Sequence, residues 1–129
     1  MILYFDGSAK PTGCGAGVSV VDKDTHTEVS SVSFPIVPLQ TNNYAEYTAL
    51  VKGLEKAQKM SIKSLTVRGD SLLVINQMKG VYKVKSENLR PLHEQAVSLS
   101  KTFDHITWEH VYRDQNKRAD ELANQAADQ

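Results

Sequence analysis

The chain has 129 residues, of which 40% are hydrophobic and 23% charged, with no low-complexity tract; this is the make-up of one folded domain with its own core, and it excludes disordered and fibrous classes. Fifteen basic and fifteen acidic residues cancel, so net charge points to no polyanionic partner, and a lone Cys14 excludes an internal disulfide or cysteine zinc site and fits a reducing cytoplasm. Apolar runs are too short for a membrane span or signal peptide, so no membrane is expected.

In chain order, Met1 to Asp6 is the first strand, built on Ile2-Leu3-Tyr4-Phe5, with Asp6 as its last residue. A turn-rich stretch, Gly7 to Gly13, leads to a second strand, Gly15 to Val21. Asp22 to Thr25 then turns into a third, from about Glu28 to Phe34, and Pro35 and Pro38 break the sheet. These strands form an antiparallel meander. Thr41 or Asn42 caps a helix that runs to about Met60. Ser64 to Gly69 is a short β-branched strand, and Asp70-Ser71 opens a helix that Gly80 stops after Met78. Ser86 caps a helix carrying Leu89, Leu92, Ala96 and Leu99, with Pro91 tolerated in its first turns. His105 to Tyr112 is the fifth strand, and Asn116 caps the closing helix. Strands reached through a helix join a sheet in parallel. The expected fold is therefore α/β, a mixed five-stranded sheet of three antiparallel strands then two parallel ones, with helices on both faces.

Four carboxylates do not suit this frame. Asp6 and Asp70 each close an apolar strand, and Glu46 shares a helical stripe with Leu50, Gly53 and Ala57. Asp120 precedes Leu122, Ala123 and Ala126 near the start of the last helix. Singly, each has an ordinary reading as a turn residue, a cap or a dipole partner. Together they are costly unless a cation gathers them. Hard oxygen donors without a Cys or His cluster suit Mg2+ or Mn2+, and four carboxylates can hold two such ions for phosphoryl displacement.

Tyr4-Phe5-Asp6-Gly7-Ser8, Thr41-Asn42-Asn43-Tyr44-Ala45-Glu46, Gly69-Asp70-Ser71 and Asn116 to Ala123 together resemble the motifs of type 1 ribonucleases H, in order and over essentially the whole chain. The resemblance implies the ribonuclease H-like fold and a metal-dependent endonuclease that cuts the RNA strand of an RNA–DNA hybrid, leaving 5′-phosphate and 3′-hydroxyl ends. Asp6, Glu46, Asp70 and Asp120 would be the catalytic metal ligands, and a monomer is expected. Two other readings are a non-catalytic hybrid- or double-stranded-RNA-binding module and a DNA nuclease of the same broad fold.

Telling ribose from deoxyribose needs small residues and free backbone groups near the acids. Gly7, Ser8, Cys14 and Gly15 could supply them, or the glycines of 13–17 could serve a turn and a bulge. Thr41, Asn42 and Asn43 stand at a helix N-terminus, a natural phosphate seat, although one of them is accounted for by capping. Ser71, Asn76, Gln77 and Asn116 are further candidate substrate contacts; for Asn76 and Gln77 an exposed helix position is the commoner explanation. Lys79, Lys83 and Lys85 with Tyr82 make a short cationic strip. Residues 79–86 are too few for the extra basic helix of the better-known bacterial enzymes. The loop 112–115 is also shorter than the one that carries their histidine, and His110 falls within a strand and receives no such role. The chain is closer to the compact archaeal and bacterial branch of the family. Arg113 could contact the scissile phosphate or be a surface arginine.

Overall fold

A computed structural model describes residues 1–129. The elements are β1 (Ile2–Lys10), β2 (Gly13–Val21), β3 (Glu28–Ile36), α1 (Asn42–Lys59), β4 (Ser64–Gly69), α2 (Leu72–Met78), α3 (Arg90–Ser100), β5 (His105–His110) and α4 (Lys117–Ala127), with a 3-10 turn at Arg113–Gln115. The strands make one sheet in the order β3-β2-β1-β4-β5. β1 pairs antiparallel with β2, and β2 with β3, whereas β4 lies parallel to both β1 and β5. This is the mixed sheet that the alternation of strands and helices requires.

Side-chain alternation divides the sheet into two unlike faces. On one, Leu3, Phe5, Val18, Val20, Leu65 and Val67 pack with Leu50, Leu54, Ala57, Val74, Ile75 and Ala96 in one continuous buried core beneath α1, α2 and α3. Burial of each large side chain stabilises the fold by roughly 1.5–3 kcal/mol. Thr41 Oγ1 accepts from Tyr44 N–H and starts α1. Gly80, at φ +80°, ends the helical stretch of α2.

The other face is covered over β1 and β2 by α4, and the fit is set by glycine. A Cβ on Gly13 would lie 1.9 Å from the Ala127 carbonyl oxygen, one on Gly15 2.3 Å from that of Ala123, and one on Gly17 2.1 Å from that of Ala119. Two residues of strand advance about 6.7 Å and four residues of helix about 6 Å. Alternate strand positions therefore meet every fourth helix position, backbone against backbone. Beyond α4 the same face is polar: Arg68 donates from Nε to Glu109 at 2.8 Å and from Nη1 to the Tyr4 hydroxyl at 2.9 Å.

Four local expectations are corrected. Asp6 is not the last residue of its strand: β1 continues through Gly7 and Ser8 to Lys10 because β2 keeps pairing with it up to Lys10 opposite Gly13. The turn shrinks to Pro11 and Thr12. Pro35 sits inside β3 opposite Gly15, which is allowed because β3 is an edge strand and its outer N–H groups pair with nothing. Helix α3 starts at Arg90 rather than after Ser86; the Ser86 carbonyl accepts from Leu89 and Arg90 in the turn before it. Finally, β5 ends at His110 rather than Tyr112.

Gly17→Ala should cost about 1–3 kcal/mol and lower the melting temperature by several degrees, because helix backbone cannot yield as a side-chain tip does. Thermal unfolding followed by circular dichroism measures it; an unchanged midpoint would show that α4 shifts freely on the sheet.

Candidate active site

The site forms where β1 outruns its parallel neighbour. Phe5 pairs with Gly69, so Asp6 and Asp70 emerge side by side, one within a strand and one just past the end of β4. Glu46 reaches them from the first turns of α1. Gly7 makes this approach possible: a Cβ there would stand 2.3 Å from both Ala45 C and Glu46 N. Its own N–H donates to Glu46 Oε1 and aims the carboxylate.

One oxygen from each of Asp6, Glu46 and Asp70 lies within 4.8 Å of the others. Asp120, on the first turn of α4, lines the same cleft, which has a volume of about 540 Å³. Asp6 and Glu46 are buried, at 5% and 2% exposure. Desolvation is the main reason the Asp6 carboxyl titrates far above the usual range, and the neighbouring Glu46, Asp70 and Asp120 push it further the same way. Glu46 is raised first by burial, against hydrogen bonds from Asp6 and Gly7 that favour its ionised form. Its Oε2 is buried without a hydrogen-bond partner, and such a group is costly unless something positive meets it. Clustered hard oxygens and an orphaned carboxylate oxygen fit a divalent cation such as Mg2+ or Mn2+.

Residues 4–126 match the reverse transcriptase-like family. The N-terminal RNase H domain of Rv2228c from Mycobacterium tuberculosis has a TM-score of 0.92 at 37% identity, covering 97% of this chain and 91% of that one. Ribonuclease HI of Halobacterium salinarum is 35% identical over 125 residues. The chain belongs to the type 1 ribonuclease H family. LC11-RNase H1, isolated from compost, was solved in complex with an RNA/DNA hybrid; it has a TM-score of 0.89 at 35% identity, covering 98% of this chain and 96% of that one. The chain spans 63% of the Halobacterium protein, with 97% of its own length matched. It spans 35% of the whole Rv2228c protein, to which it is 41% identical over 132 residues.

The candidate substrate residues of this chain fall into three groups. Gly7, Ser8, Asn42, Ser71 and Arg113 line the cleft with the four acids. Thr41, Asn43 and Asn76 keep some exposure outside that lining. Cys14, Gly15, Gln77 and Asn116 are buried, and each is engaged within the fold. Cys14 Sγ donates to the Gln40 carbonyl and accepts from its N–H, at 3.3 and 3.2 Å. Gly15 lies beneath α4. Gln77 accepts from the Tyr47 hydroxyl at 2.5 Å. Asn116 occupies the N-cap position of α4 without making a cap bond; its Nδ2 donates to the Phe5 carbonyl at 2.9 Å, tying α4 to β1 one residue before Asp6.

Lys10, Asn124, His110 and Tyr112 also line the cleft. Lys10 is an alternate position from Asp6 and Asn124 is four after Asp120, so both lie within strand and helix periodicity of an acid. For Lys10 that periodicity holds only because β1 continues past Asp6.

Because the folded protein raises these carboxyl pKa values, ionisation opposes folding. The cost is absent below the unfolded carboxylate range, near pH 4, and grows as pH rises toward the folded values. Glu28, lowered chiefly by its Arg118 hydrogen bond, loses its contribution only around the unfolded range and leaves the interval above it unaffected. The metal-free protein should therefore gain stability as pH falls from about 8 to about 5.5. Asp6→Asn should flatten that slope and raise the neutral-pH stability by roughly 1–2 kcal/mol, while losing part of the gain that Mg2+ or Mn2+ gives the unaltered protein. Melting curves with and without metal measure all three effects. Asn116→Ala should instead cost about 1–3 kcal/mol at every pH, since it strands the Phe5 carbonyl.

Proposed function

We propose that the chain is an endonuclease that hydrolyses the RNA strand of RNA–DNA hybrids at this cleft. The observation that carries the reading is the meeting of Asp6, Glu46 and Asp70 oxygens within 4.8 Å, with Asp120 lining the same cleft. The hybrid held by LC11-RNase H1 supports the choice of substrate.

In the proposed mechanism the four acids hold two Mg2+ or Mn2+ ions. When bound, the ions supply an acidified water near neutral pH and offset the charge that builds on the phosphate. Glu46 is set for its part by the Gly7 N–H, and burial of Asp6 and Glu46 keeps bulk water from diluting the field. Water oxygen bonds to phosphorus as the bond from phosphorus to O3′ breaks. The leaving oxygen takes up a proton, giving a 3′-hydroxyl on one fragment and a 5′-phosphate on the other. Asn42, Ser71 and Arg113, around the same cleft, hold the backbone on either side. No covalent intermediate with the protein is needed.

A labelled hybrid should be cut in its RNA strand with Mg2+ or Mn2+, and RNA–RNA and DNA–DNA duplexes of the same sequence should not. Asp70→Asn should reduce the rate to background with the fold retained. A wild-type protein that leaves the hybrid whole under both metals would sink the reading, and a preference for DNA duplexes would replace it with a DNA nuclease.

A further inference from the structure

Between β1 and α4 the active site continues as a row of three polar rungs. Asp6, Ser8 and Lys10 alternate along β1 on the face toward α4, and Asp120, Asn124 and Asp128 follow at every fourth residue along the helix and its C-terminal end. The first rung is the acid pair Asp6 and Asp120. In the second, Ser8 Oγ donates to Asn124 Oδ1 at 2.9 Å. In the third, Lys10 Nζ donates to Asp128 Oδ1 at 3.1 Å. Gly17, Gly15 and Gly13 sit opposite Asp6, Ser8 and Lys10 in the β1–β2 register, so the glycines that bring α4 close also hold the three rungs closed.

Asp6, Ser8, Lys10, Asp120 and Asn124 all line the cleft, and Lys10 and Arg113 are its cations. Four residues of strand place Lys10 about 13 Å along β1 from Asp6, which is several nucleotides of a strand that rises about 3.4 Å per step. The side chains of Lys10 and Asp128 are 37% and 63% exposed. An ion pair so open to water holds the amine weakly, and a phosphate can replace the carboxylate.

We propose that Lys10 is a backbone-phosphate contact several nucleotides from the cleavage position, and that Asp128 competes with the phosphate for it and so sets how tightly the strand is held. This rests on the nucleic-acid reading of the cleft but not on hydrolysis. Lys10 binds and positions; it takes no part in bond breaking.

The test is binding of a fluorescently labelled RNA–DNA hybrid to the full chain carrying Asp70→Asn, read by anisotropy across a salt series. Lys10→Met should raise Kd about three- to tenfold near 0.1 M salt and lower the slope of log affinity against log salt by about one. Lys10→Arg should restore both. Asp128→Asn should lower Kd about two- to fivefold, and that gain should vanish when Lys10→Met is also present. A merely structural ion pair would make Lys10→Met and Asp128→Asn act alike. A general charge effect would let the Asp128→Asn gain survive in the double variant. Either result overturns the proposal, as does an unmoved salt slope. Cleavage by the unaltered chain is measured separately: absence of cleavage with the Lys10 effects intact removes the hydrolytic reading alone, and cleavage with those effects absent removes the Lys10 reading alone.

Discussion

The backbone-to-backbone contact of α4 with β2 is the constraint on which the rest of the structure depends. Any side chain at Gly13, Gly15 or Gly17 would push the helix outward, because the nearest atom it would meet in each case is a main-chain carbonyl oxygen. With the helix seated, Asp120 lines the cleft beside Asp6, Asn116 can reach the Phe5 carbonyl, and Ser33 Oγ can donate to the Leu122 carbonyl at 2.7 Å. Gly7 does the same on the opposite face for α1 and Glu46. Two helices on opposite faces of the sheet thus deliver acids to one point because the strands between them lack side chains where the helices touch.

That delivery has an electrostatic cost. Asp6 and Glu46 are buried among like charges, their pKa values are raised, and one Glu46 oxygen lacks a partner. The hydrophobic core beneath α1, α2 and α3 offsets the cost, and a bound divalent cation would turn it into affinity. Sites of this kind destabilise the scaffold that carries them, and their strained electrostatics mark them as functional.

Much of the site was legible before the fold was known. Asp6, Glu46, Asp70 and Asp120 stood out because acids at apolar strand ends and on helix stripes conflict with burial, a conflict that depends only on local periodicity. A helix cap at Thr41 or Asn42, of which the structure uses Thr41, Gly80 as a stop and the five strands followed from the same local rules. The errors share one cause. Asp-Gly-Ser reads as a turn, yet pairing with β2 carried β1 four residues further. Pro35 reads as a breaker, yet an edge position lets it stay in the sheet. Gln77 reads as an exposed helix position and Asn116 as a helix cap, yet each satisfies a partner on a distant segment, the Tyr47 hydroxyl and the Phe5 carbonyl. Lys10 lies beyond the turn that Asp-Gly-Ser suggests, and only the continued pairing of β1 with β2 brings it into line with Asp6.

The amino-acid sequence alone determined the α/β class, the alternation of strands and helices, and the identity of the four acids, since these depend on spacing within single segments. Tertiary structure decided which polar residues remain in the cleft and which are spent inside the fold. It also decided that alternate residues of β1 face every fourth residue of α4. Those outcomes depend on how closely two segments more than a hundred residues apart can approach, which is set by glycines whose purpose is invisible until the helix lies on them.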